Sequence, residues 1–201
     1  MGLFRVDGPV YNFGNWIFRF FFLNTLWVLF SLPIFTIGAS TTALFYVTHK
    51  WAAGEDPPIW QNFWKSFKQN FLQGVVIWVI LSVFMLIIFL NIQNITLVGN
   101  FSRILLILQL IALAELILTA IYAFPILARH HMTVGGCLRW AFYMANRHLL
   151  TTIVVVMGAV GLVSFAQYMW ATYFFLMSLW AYWTSRFVIP VLKKYTVDDD
   201  S

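Results

Sequence analysis

The chain has 201 residues, of which 62% are hydrophobic and 9% charged, and its 12 Lys and Arg against 7 Asp and Glu give a net charge of +5. A water-soluble domain of this size cannot hide so much apolar surface, so the composition places the chain in a bilayer. The bases are scattered through loops beside apolar runs, which points to membrane anchoring rather than nucleic-acid binding, and the single cysteine, Cys137, excludes an internal disulfide or a thiol-based metal site.

The opening residues MGLFRVDGPVYNFGNW carry one base and one acid and lead into an apolar run with no small-residue cleavage site, so they do not read as a removable signal peptide. Val6 stands where a myristoylation signal wants Ser or Thr. From Trp16 to Lys50 the chain is apolar for about 35 residues, which as one helix would run about 50 Å, too long for a hydrocarbon core of about 30 Å. Pro33 lacks the donor a continuing helix needs, Gly38 permits a reversal and Ser40 can cap a new start. The run therefore predicts two short helices joined by an outer turn at Pro33 and Gly38.

Next comes a basic loop whose residues Trp60, Phe63, Trp64, Phe67 and Phe71 fall three and four apart, on one face of a helix expected to lie at the cytoplasmic interface or to meet a partner. Four further spans are expected at Phe71 to Leu90, Arg103 to Ala128, Leu149 to Ala166 and Ala171 to Ile189. The basic loop at 129–148 contains a second, weaker amphipathic helix after Gly135 and Gly136, with Leu138, Ala141, Phe142, Ala145 and Leu149 on one face. Uncharged and basic loops alternate, so the expected architecture is an all-α polytopic membrane bundle of about six crossings with both termini cytoplasmic. Arg103 is the one clearly misplaced base, and the DDD tail at 198–200 reads as a solvated cytoplasmic end.

A single membrane domain, 1–201, is expected, with a weak parallel repeat of 44–90 in 120–166. A shift of 76 residues lays Tyr46 on Tyr122, Trp64 on Trp140 and Asn70 on Asn146.

Glu115 is the one acid inside a span, where an unpaired charge costs at least about 3 kcal/mol. Thr119 and Tyr122 continue its stripe at i+4 and i+7, and Arg19 and Arg186, each about 7 Å to the cytoplasmic side of its helix centre, are the bases within reach. Two readings stay open: a substrate or proton path, or a polar clasp between helices. His130 and His131 adjoin a helix end, where terminal carbonyls or phosphate headgroups can meet them; His49 and His148 are isolated, and no metal, cofactor or catalytic motif occurs.

The stretch LNTLWVLFSLPIFTIGASTTALFYVTHKWAAGE, followed by FWKSFKQNF, resembles the YesL-like family of bacterial membrane proteins. The resemblance rests on Trp27, Ser31, Leu32, Pro33, Ile34, Thr36, Ile37, Gly38 and Ser40 and extends to about residue 75. It implies a small protein of the bacterial cell membrane, encoded beside carbohydrate-uptake ABC transporters and serving as an accessory subunit of their permeases. The competing expectation is a stand-alone secondary transporter or channel with Glu115 in its pathway. Neither expectation makes the chain an enzyme.

Overall fold

The computed structural model describes residues 9–95 and 101–196. Arg5, the acidic tail at 198–200 and the side chain of Asn12 lie outside the described residues. Among the described residues the chain is all-helical, in the order α1 (Pro9–Ser31), α2 (Ile37–Ala52), α3 (Ile59–Gln69), α4 (Phe71–Gln93), α5 (Ser102–Arg129), α6 (Val134–Arg147), α7 (Leu149–Tyr168) and α8 (Leu176–Thr196). Four of these are long and apolar enough to cross a membrane: α1 from Phe13, α4, α5 and α7. At 16 residues α2 is shorter than a span, and α8 carries Arg186, Lys193 and Lys194.

The shortest apolar helix is the centre of the bundle. α2 packs against α1, α3, α4, α5 and α8, and twelve of its residues are buried. Its run of small and hydroxylated residues, Gly38 to Ala43, explains why: without a strong hydrophobic drive between helices in lipid, association favours surfaces that let backbones approach. The hydroxyls are satisfied inside the helix, Ser40 donating to the Thr36 carbonyl at 3.1 Å and Thr42 to Gly38 at 2.8 Å. Toward the neighbours, Trp27 Nε1 donates to Thr41 at 3.1 Å, and Thr48 and Ser185 share a buried hydrogen bond of 2.9 Å. A further buried tie joins α1 to α8, where the Asn24 side-chain Oδ1 accepts the Ser178 backbone N–H at 3.2 Å.

The turn at Pro33 differs in detail from the sequence reading. α1 ends at Ser31, a 3-10 turn covers Ile34–Thr36, and Thr36 Oγ1 lies 2.6 Å from both the Phe30 and Pro33 carbonyls. Gly38 and Ser40 are already inside α2, so Gly38 does not form the reversal and Ser40 is not a cap. What Gly38 supplies is close approach: an added Cβ there would lie 2.1 Å from the Gly74 carbonyl oxygen of α4. α2 and α4 run antiparallel from this crossing, and α4 continues 15 residues past Trp78, about 22 Å. That second half of α4 exposes Val83 to Ile87 and then Phe89 and Leu90, and no residue of α5 before Thr119 is buried.

The last helix also starts later than its sequence suggests. The expected span from Ala171 is a 3-10 turn over Trp170–Phe174 before α8 begins at Leu176.

The order of elements repeats, but the packing does not. Adding 76 carries α3 to 135–145 and α4 to 147–169, within two residues of α6 and α7. Yet α2 meets α4 at Gly38 and Gly74, whereas Leu150, the counterpart of Gly74, is 82% exposed. Without a second glycine pair, α5 packs mainly along α6 and meets α7 through side chains, the Tyr122 hydroxyl lying 3.0 Å from Thr152 Oγ1.

Candidate functional site

The polar stripe of α5 faces α6 and α7. Glu115 is half-buried and accepts a hydrogen bond of 2.9 Å from the Asn146 amide, which also donates to the Phe142 carbonyl at 3.1 Å. One turn on, Thr119 is buried, and two turns on Tyr122 is fully enclosed. The Tyr122 hydroxyl lies 3.0 Å from Thr152 Oγ1, and Thr152 donates to the Ala145 and His148 carbonyls at 3.0 and 3.1 Å. Since the threonine proton is committed to a carbonyl, Tyr122 is the donor to Thr152. Three helices are thus pinned by two side chains of one face.

The two arginines expected near Glu115 are elsewhere. Arg19 pairs with Asp56 in the α2–α3 loop, and Arg186 is exposed beside Lys193 and the end of α2. Among the described residues neither pairs with Glu115. Asn146, the partner Glu115 does have, lies 31 residues away, a distance helix periodicity does not reach. The only sequence signal for it is its alignment with Asn70 in the repeat.

The aromatic face of α3 turns inward. Phe63 is fully buried and Phe67 nearly so, and with Trp60 and Trp64 they surround Phe30 of α1 at ring separations of 5.0 to 6.1 Å. Phe71 follows edge-on to Phe67 at 5.4 Å. Of the five, only Trp60, 47% exposed, is an exposed residue, with Trp64 half-buried under the Lys68 ammonium at 4.7 Å. α6 is likewise turned by a fraction from its expected face: Cys137, Ala141, Met144 and Ala145 are buried and Phe142 is exposed, with Thr133 as the N-cap accepting the Gly136 N–H at 3.2 Å. Burial pushes the Cys137 thiol up to about 12, so it is no thiolate nucleophile at neutral pH.

At the α6–α7 junction, Arg147 Nε donates to the Tyr195 hydroxyl and His148 Nε2 lies within hydrogen-bond distance of it, both at 3.0 Å. Burial, then the charges of Arg147 and Lys194, hold the His148 pKa below its ordinary value. A depressed histidine is protonated more readily in the unfolded chain, so its contribution is present above about pH 6.5 and is lost as pH falls toward the folded value. The thermal midpoint in detergent is expected to fall from pH 7.5 to pH 5.5, and His148→Asn to flatten part of that slope; an unchanged slope removes His148 from the account.

An open groove of about 720 Å³ lies between α1, α2, α4, α5 and α8. Apart from three indoles its only polar side chains are Thr41 and Ser82, and Thr41 is occupied by Trp27. Such a groove suits apolar matter and offers a hydrated solute almost no hydrogen bonds.

A family model described as a protein of unknown function, DUF624, matches residues 20–92, which run from α1 through α4. Two uncharacterized proteins of Bacillus subtilis (strain 168) are similar along most of their length. YesL is 28% identical over 160 residues, covering 75% of this chain and 73% of YesL. YteU is 28% identical over 193 residues, covering 93% of this chain and 86% of YteU. No solved structure matches.

Proposed function

We propose that the chain, which is similar to YesL and YteU and matches the DUF624 model over residues 20–92, is a YesL-like protein and an accessory membrane subunit packing against the permease subunits of an oligosaccharide importer of the ABC type. The observation that carries this reading is the open apolar face of α4 and α5, into which the apolar groove between α1, α2, α4, α5 and α8 opens. That groove has two polar side chains besides its indoles, and the second half of α4 and the first half of α5 expose apolar side chains from Val83 to Leu90 and from Ile104 to Ile117. A subunit that binds other helices needs the second feature and has no use for a polar path. The sugar importer comes from the family resemblance alone.

The accompanying topology has six crossings in the bacterial cell membrane with both ends cytoplasmic. Its support is that the basic side chains gather at one end of the bundle: Lys50 with Glu55, Arg19 with Asp56, and Arg186 with Lys193 all sit by the end of α2, while Arg103 begins α5 at the far end. At about 24 Å, α2 is short of a core of about 30 Å. The turn before it exposes Leu32, Ile34 and Phe35, and α4 runs about 22 Å past this point, so the six-crossing topology requires the outer face of the bilayer to dip toward the turn.

The competing reading, a stand-alone transporter, needs Glu115 to act on a solute. The carboxylate instead holds the end of α6 through Asn146, which favours the clasp. Affinity purification from native membranes is expected to recover permease subunits with the tagged chain, and recovery of the chain alone overturns the accessory role. In parallel, Glu115→Gln keeps an acceptor for Asn146 and is expected to cost less than about 1 kcal/mol. Solute uptake by vesicles holding only the wild-type chain, abolished by Glu115→Gln, would establish the transporter instead.

A further inference from the structure

We propose that the groove between α1, α2, α4, α5 and α8 holds an acyl chain of a glycerolipid, whose ester carbonyl accepts hydrogen bonds from Trp78 and Ser82 of α4. Leu81, Met85, Ile117, Ile121, Phe124 and Met177 form its walls, and among the described residues no charged side chain lines it. Its volume of about 720 Å³ is room for roughly 24 heavy atoms at ~30 Å³ each, and an acyl ester of about 16 to 18 carbons has roughly 20. A helix covers this groove without entering it, because ten residues of helix, 15 Å long and 10–12 Å across, fill roughly 1,200 Å³ or more. An extended hydrocarbon chain is the membrane component whose cross-section and polarity match.

Two polar groups say where the ester sits. Trp78 and Ser82 are one turn apart on α4, so they share a face, and both are half-buried residues of the groove wall. Among the described residues neither Trp78 Nε1 nor Ser82 Oγ has a hydrogen-bond partner, yet neither atom is closed off from the surface. The remaining polar groups of the groove are spent or sealed: Thr41 takes the Trp27 N–H at 3.1 Å, and Trp180 Nε1 is buried. An open donor in hydrocarbon has no water to turn to, and one carbonyl oxygen, with two lone pairs, satisfies both the indole and the hydroxyl. A glycerolipid joins such a carbonyl to a long apolar chain.

The test is native mass spectrometry of the chain purified alone, so its outcome is separate from that of the permease reading. The micelles are doped with dipalmitoyl phosphatidylglycerol or with its diether analogue, which keeps the headgroup and the chains and lacks both carbonyls. The ester lipid is expected to be retained about tenfold better, equivalent to roughly one net hydrogen bond. The Trp78→Phe/Ser82→Ala double variant is expected to bind the two lipids alike, and Trp60→Phe, on α3 and outside the groove, to keep the wild-type preference. Ala120→Phe, which fills the groove from α5, is expected to lose both lipids. Should the double variant fail to fold, Ser82→Ala alone, the removal of one half-buried hydroxyl, reads out a smaller loss of the same preference. Equal retention of ester and ether lipid by the wild type overturns the proposal, as does an ester preference that survives in the Trp78 and Ser82 variants. It falls equally if the wild type retains no lipid while Ala120→Phe blocks co-purification of a partner subunit, which gives the groove to protein.

Discussion

Gly38→Ala is expected to lower the thermal midpoint in detergent by the equivalent of about 3 kcal/mol, the upper end of the usual cost of overpacking. The new methyl would meet the Gly74 carbonyl oxygen at 2.1 Å, the Gly74 carbonyl carbon at 2.9 Å and the Trp78 Cβ at 2.7 Å. Two of these are backbone atoms and the third is fixed to one, so no rotamer change relieves the clash. α2 and α4 must move apart, and the Trp27 to Thr41 bond on the adjoining α1–α2 contact moves with them. The same substitution at Gly161 of α7 has nothing within 4 Å to meet and should gain up to about 1 kcal/mol of helix propensity. Opposite signs for one chemical change are the signature of the close crossing. Equal midpoints for the two variants would mean that α2 and α4 do not approach at these glycines.

This crossing shows where sequence reasoning stops. The long apolar runs of α4, α5 and α7 are legible because hydrocarbon admits no other backbone arrangement for them. The break after Ser31 is legible because proline withholds a donor. Gly38 is not, because a glycine that reverses the chain and one that lets two helices touch look alike until the second helix is placed. Glu115 stands out in sequence as a lone acid in a span, and its stripe with Thr119 and Tyr122 is one surface in the fold. Its partner is a matter of tertiary geometry: the arginines near it in depth are on helices that face elsewhere, and an uncharged asparagine on α6 supplies the hydrogen bond.

The aromatic face of α3 yields the prediction that separates structure from partner binding. Phe63→Ala is expected to cost about 3–5 kcal/mol, since the ring is fully buried between α3 and Phe30 and its loss leaves a cavity. Trp60→Ala removes a ring that is 47% exposed and should cost well under half of that. An amphipathic stripe lying in the interface or against another subunit would give the two substitutions similar, small effects on the isolated chain, because both rings would face outward. If the midpoints of Phe63→Ala and Trp60→Ala agree, α3 is not docked on α2 and the Phe30 end of α1, and its face is free for a partner. If they differ as expected, the face available to a permease subunit on α3 is reduced to Trp60 and the edge of Trp64. Trp60→Ala should then weaken co-purification while leaving the fold intact, and the broad aliphatic side of α4 and α5 carries the rest of the contact.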